Sequence, residues 1–146
     1  MRLSREERLD GMVSEKGSAM SAHSRGKIAV ADDDDGVRTS LAALLEAYGF
    51  EVRTFASGAY LLRGHAAEPA HCLMLDQLMP VVTGLKVLQT LRERGDTTPV
   101  ILITGVPNRA LYAKAKSLGA TAILYKPIPP AELMIAVKQA VASRRR

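Results

Sequence analysis

Four consecutive aspartates, Asp32-Asp33-Asp34-Asp35, follow the apolar run IAVA at 28–31. Asp76 follows CLML at 72–75, Thr104 closes VILIT at 100–104, and Lys126-Pro127 follows TAILY at 121–125. Each has an ordinary reading alone. An Asp after a strand is a frequent helix N-cap, Thr suits a strand, and Lys is by default a surface charge. The acidic run also reads as a solvated turn. As a constellation they say more. Crowded carboxylates repel and ask for a compensating cation. Carboxylate oxygens suit Mg2+, which also takes phosphate oxygens. The hydroxyl of Thr104 and the ammonium of Lys126 would then hold the remaining oxygens of a phosphoryl group. The chemistry these types define is phosphoryl transfer.

The elements that must position them are legible in the patterning. The runs IAVA, FEVRTF (50–55), CLML, VILIT and TAILY alternate with longer stretches of helical periodicity. Val37, Leu41, Leu44, Leu45 and Tyr48 lie on one helix face, which Gly49 ends. Leu111, Ala115 and Leu118 mark another helix, ending at Gly119. Leu133, Val137, Ala140 and Val141 mark the last, with Pro130 in its first turn. Strands alternating with helices imply an α/β fold, a parallel sheet covered on both faces. The strand runs are nearly continuous and apolar, as doubly buried strands are. Ligands of such sheets gather beyond the carboxyl ends of the strands, where all the residues above fall.

Composition bounds the function classes. With 146 residues, 47% of them apolar and 24% charged, the chain suits one soluble globular domain. No run of 18 apolar residues is present, so no membrane span is expected. The amino end carries charges where a secretory signal would be apolar, and a lone cysteine, Cys72, allows no internal disulfide. A cytoplasmic protein is expected. The net charge is +5, of which Arg144–Arg146 supply +3 while residues 1–26 and 27–143 supply +1 each. A basic tip is not a basic stripe, and two Phe, four scattered Tyr and no Trp offer no stacking platform. Nucleic-acid binding by this chain alone is not expected. Residues 1–26 read as a flexible extension with one short helix over Arg5 to Met12, and Met20 is an alternative translation start. His23, His65 and His71 share no metal-ligand spacing and read as surface or loop residues, and Cys72 reads as buried.

Over residues 27–143 the chain resembles the receiver domain of two-component response regulators. The resemblance rests on the acidic pair Asp32-Asp33, on Asp76-Gln77-Leu78-Met79-Pro80 with Gly84, on Ile103-Thr104-Gly105 and on Lys126-Pro127. VRTSLAALLEAYGFEVRTFAS and ILITG look most like receivers of the nitrogen-fixation type. The resemblance implies a flavodoxin-like, doubly wound five-stranded parallel sheet of order 2-1-3-4-5 with five helices. It implies that Asp76 is the phosphate acceptor, attacking the phosphorus of a phosphohistidine on a sensor histidine kinase or a histidine phosphotransfer protein. It places Asp76 in the metal set as well, with Asp33 as a direct ligand of Mg2+, Asp32 as a ligand through water and the backbone carbonyl of Leu78 as a further metal oxygen. Thr104 and Lys126 would hold the phosphoryl group, and Asp34 and Asp35 would begin the first helix. Such a chain is a stoichiometric acceptor that switches a surface for a downstream protein, with a phosphorylation-dependent dimer as one output, rather than a multiple-turnover enzyme. Ile123 stands where the family usually has Tyr or Phe, with Tyr125 on the same side of the strand, and Ile128 stands where Phe is usual.

Two other readings compete. Asp33-Asp34-Asp35-Gly36-Val37 fits the Asp-x-Asp-Gly opening of haloacid-dehalogenase-type phosphatases, with Asp33 as nucleophile and Asp35 as general acid. That leaves Asp76-x-x-Met-Pro unexplained, and no acidic pair follows Lys126. A degenerate receiver serving only as an interaction module is the third reading, against which the complete set of site residues argues.

Overall fold

The computed structural model describes residues 24–145. Five parallel strands, β1 (Lys27–Ala31), β2 (Glu51–Phe55), β3 (Cys72–Asp76), β4 (Val100–Thr104) and β5 (Ala122–Tyr125), form one sheet of order β2-β1-β3-β4-β5. Between and after them run α1 (Asp35–Ala47), α2 (Gly58–Ala67), α3 (Gly84–Glu93), α4 (Arg109–Ser117) and α5 (Pro130–Arg145). The expected helix over Arg5 to Met12, residues 1–23 of the extension with His23, and the side chains of the basic end lie outside the described residues. Ser24–Gly26 join the sheet's base, where the Arg25 amide donates to the Gly49 carbonyl and the Glu51 amide to that of Gly26.

Strand alternation sorts the core into two layers. Ile28, Val30, Cys72, Met74, Ile101, Ile103 and Leu124 face α1 and α5, meeting Leu45, Leu133 and Val137. Ala29, Ala31, Leu73, Leu75, Val100 and Leu102 face the other way, meeting Leu61 of α2, Val87, Leu88 and Leu91 of α3 and Ala115 of α4. Every residue of β3 and β4 is buried, as their unbroken apolar runs require. The edge strands differ from that expectation. β2 (EVRTF) and β5 lie half open, because each has a neighbour on one side only.

Helix ends follow local chemistry. The side chains of Asp34, Ser57, Thr83 and Asn108 accept from the backbone amides of Val37, Tyr60, Lys86 and Leu111, capping α1 to α4. Gly49 and Gly119, the expected stops, take positive φ of 96° and 76° just past α1 and α4.

Candidate functional site

Strand alternation also decides which side chains meet. The Asp32 amide donates to the Phe55 carbonyl and the Lys126 amide to the Thr104 carbonyl, so both continue the sheet's ladder one residue past β1 and β5. Asp32 thus keeps the parity of Ile28 and Val30, Asp76 that of Cys72 and Met74, and Lys126 that of Leu124. All three project toward the α1 and α5 side of the sheet's carboxyl edge. Lys126 Nζ lies 3.0 Å from Asp76 Oδ1 and 3.8 Å from Asp32 Oδ2. Asp32, Asp33 and Asp76 each offer a carboxylate oxygen, and the three lie within 4.8 Å of one another. Asp32 and Asp76 are buried, at 3% and 4% exposure, while Asp33 is open to solvent.

Electrostatics follow from that crowding. Burial raises the Asp76 carboxyl above its ordinary range; the Lys126 hydrogen bond opposes this, and the charges of Asp32 and Asp33 add to it. Burial works against the Lys126 ammonium, but its hydrogen bond to Asp76 and the charges of Asp76, Asp32 and Asp33 outweigh that and raise it. One cation thus faces three carboxylates. A donor set of hard carboxylate oxygens at this spacing, with an open side at Asp33, fits a small divalent cation such as Mg2+.

The loops are braced. The Asp34 amide donates to Asp32 Oδ1 at 3.0 Å, and Arg38 Nη1 donates to the Asp32 carbonyl at 2.7 Å. Asp35, the first residue of α1, pairs with Arg38 and stands apart from the three-carboxylate cluster. Asp34 and Asp35 begin α1 as expected. Past β3, the Gln77 amide donates to Ile103, its side-chain Oε1 accepts from the Leu85 amide at 2.8 Å, and its carbonyl accepts from the Gly84 amide. Leu78 sits in that loop with an exposed side chain, and Met79 is buried beneath it. The peptide between Lys126 and Pro127 is cis.

Thr104 is buried at the end of β4 but belongs to the opposite parity. Its Oγ1 exchanges hydrogen bonds of 3.3 Å with the carbonyl and amide of Val106, not with the carboxylates. Ile123 packs against the layer of α2, α3 and α4, Ile128 packs on the α1 and α5 layer, and Tyr125 is exposed. Of the residues reached by sequence reasoning, Asp32, Asp33, Asp76 and Lys126 come together, while the Thr104 hydroxyl is engaged with Val106.

Two groups escaped the sequence reading. Arg38 carries a signal in its spacing, three residues after Asp35 on one helix face. His65 corrects the expectation of a surface or loop residue. It is buried, its Nδ1 accepting from the Ala70 amide at 3.1 Å and its Nε2 lying 2.9 Å from Asp96 Oδ2 and 3.2 Å from Thr98 Oγ1. His71 is half-buried, its Nδ1 accepting from the Lys27 amide. Cys72 is fully buried, which pushes its thiol up to about 12 and makes it unreactive.

A doubly wound sheet with an acidic cluster and a lysine at its carboxyl edge is the architecture of a signalling receiver, and the family model described as the response regulator receiver domain matches residues 28–138. The chain belongs to that family. It is 39% identical over 109 residues to the transcriptional regulatory protein FixJ of Azorhizobium caulinodans, spanning 75% of this chain and 52% of that one. Chemotaxis protein CheY4 of Vibrio cholerae superposes with a TM-score of 0.73 at 27% identity, covering 78% of this chain and 97% of that one. A response regulator receiver domain from Clostridium thermocellum gives a TM-score of 0.76 at 28% identity, covering 82% and 96%. The chain spans about half the length of the curated relatives it matches. It is a receiver domain of two-component signalling, with the nitrogen-fixation type among its relatives.

Proposed function

We propose that this receiver accepts a phosphoryl group on Asp76 from a phosphohistidine of a sensor histidine kinase or a histidine phosphotransfer protein. The observation that carries the reading is the placement of Asp76. It is a buried carboxylate on a central strand, with an ammonium at 3.0 Å and two further carboxylates within 4.8 Å.

An Asp76 oxygen attacks phosphorus, the bond to the donor nitrogen breaks, and an acyl phosphate forms on the chain. Lys126 favours the ionised form of Asp76 against its burial and would turn to the incoming phosphoryl oxygens. Asp33 and Asp76 would ligate Mg2+ directly, Asp32 through water, and the Leu78 carbonyl would add a third protein oxygen. When bound, the ion supplies positive charge against the carboxylates and the phosphoryl oxygens. Such catalysis is mostly positioning and charge neutralisation. Thr104 would release Val106 and hydrogen-bond the phosphoryl group, drawing the loop after β4 inward and altering the surface of α4 and β5. Ile123 offers no aromatic ring to reinforce that change, so the coupling runs through Thr104 and Lys126.

The chain is thus a stoichiometric phosphoacceptor for an output protein or a second copy of itself, not a multiple-turnover enzyme. Acceptance from a kinase places it in the cytoplasm. Among the described residues no helix is long and apolar enough to cross a membrane. Incubation with acetyl phosphate and Mg2+ tests the chemistry. Labelling should require the metal and slow sharply in Lys126→Met. Labelling that is equal with and without Mg2+, or untouched in that variant, would contradict the proposal.

A further inference from the structure

A carboxylate cluster binds a metal well only if its loop holds the ligands at their spacing beforehand, since ordering the loop on binding costs affinity. In this chain β1 is followed by four acidic residues whose mutual repulsion would splay that loop. Backbone amides tie its flanks: that of Asp32 to Phe55, that of Asp34 to Asp32 Oδ1, and those of Val37 and Arg38 to Asp34. None of these constrains the Asp32 carbonyl. That carbonyl receives Arg38 Nη1 at 2.7 Å, while Nη2 of the same guanidinium meets the Asp35 carboxylate. The Arg38 side chain is only 16% exposed and Asp35 is 90% exposed, so the shielded arm of the fork is the one on the Asp32 carbonyl. One rigid planar group therefore joins the peptide between Asp32 and Asp33 to the first turn of α1.

We infer that Arg38 is the positioning residue of the metal loop, its guanidinium fixing the Asp32–Asp33 peptide so that both carboxylates face Asp76 at ligand spacing before an ion arrives. This rests on the reading of Asp32 and Asp33 as the metal-binding pair. Arg38 touches neither metal nor phosphoryl group; it acts through the carbonyl it holds. Bracing and bare charge predict opposite signs. A cation behind three carboxylates weakens their attraction for a divalent ion, so its removal as a charge would tighten binding. Its removal as a brace loosens binding.

Calorimetric titration of Mg2+ into the metal-free chain separates these. Arg38→Gln should bind about ten-fold more weakly than wild type, as loss of an outer-shell partner does. Arg38→Lys keeps the charge but cannot bridge both anchors, and should remain weakened. Phe50→Leu, in the core at the far end of the sheet, should lose stability and keep the wild-type affinity. Without metal, the Asp34 amide should exchange hydrogen faster in both Arg38 variants. At saturating Mg2+, Asp76 labelling in both should return to near the wild-type rate. Equal or tighter Mg2+ binding in Arg38→Gln, full affinity in Arg38→Lys, or a labelling defect that saturating metal leaves in place would overturn the inference. A wild type that binds no Mg2+ would instead overturn the metal reading, leaving the Asp34 exchange rate as the test of the brace.

Discussion

Gly84 lies directly beneath Asp76: a Cβ on Gly84 would come within 2.6 Å of the Asp76 carbonyl oxygen and 2.7 Å of Leu102 Cδ1. Backbone cannot yield as a flexible side chain can, so α3 starts this close to the acceptor only because residue 84 has no side chain. Gly84→Ala should cost about 1–3 kcal/mol of stability, read from urea unfolding. It should also slow labelling of Asp76, whose peptide must move.

The pH dependence of Asp76 has a definite sign. Its folded pKa is raised, by burial first and then by Asp32 and Asp33 against the pull of Lys126. A raised carboxyl binds more protons folded than unfolded, so its contribution falls as pH climbs from 3.8 through the folded pKa. Asp76→Asn should therefore be more stable than wild type at neutral pH without metal. The gap should close below pH 3.8, where both side chains are neutral. Equal denaturation midpoints for the two chains at pH 7 would contradict this.

At the far end of the sheet, His65 ties the turn before β3 to the one before β4. With Nδ1 accepting from Ala70, Nε2 is the donor toward Asp96 and Thr98. Asp96 is held below its ordinary value: burial pushes it up, but hydrogen bonds from Thr98 and from His65 prevail. Its contribution is present above pH 3.8 and lost as pH falls through the folded value. His65→Ala leaves a buried amide unpaired and should cost about 2–4 kcal/mol from the lost hydrogen bonds and side-chain volume. The loss would appear in thermal unfolding at pH 7, with hydrogen exchange rising first at Ala70.

Val81, in the loop after Asp76, is fully exposed and holds a φ of 71°, a conformation that costs a β-branched residue about 1–2 kcal/mol. Glycine removes that strain but loses more freedom on folding, by about 0.5–1 kcal/mol. Val81→Gly should leave the chain about 0.5–1 kcal/mol more stable, measured by chemical denaturation.

Legibility in the sequence followed the physics of each group. The strands β3 and β4 announced themselves because burial on both faces demands unbroken apolar runs. β2 was read with the same apolar runs, although its edge position leaves Arg53 and Thr54 exposed. The convergence of Asp32, Asp76 and Lys126 was readable from strand ends. The separate hydrogen bonding of Thr104 was not, since it depends on strand parity and on a local turn to Val106. His65 was missed because Asp96 and Thr98 stand some thirty positions away and meet it only through the packing of two connections.

After incubation with acetyl phosphate and Mg2+, intact mass and peptide mapping should find one phosphoryl group per chain, on the peptide containing Asp76 and absent from Asp76→Asn. A label on Asp33, Asp35 or any other residue, or the same label in that variant, would contradict phosphoryl acceptance by Asp76.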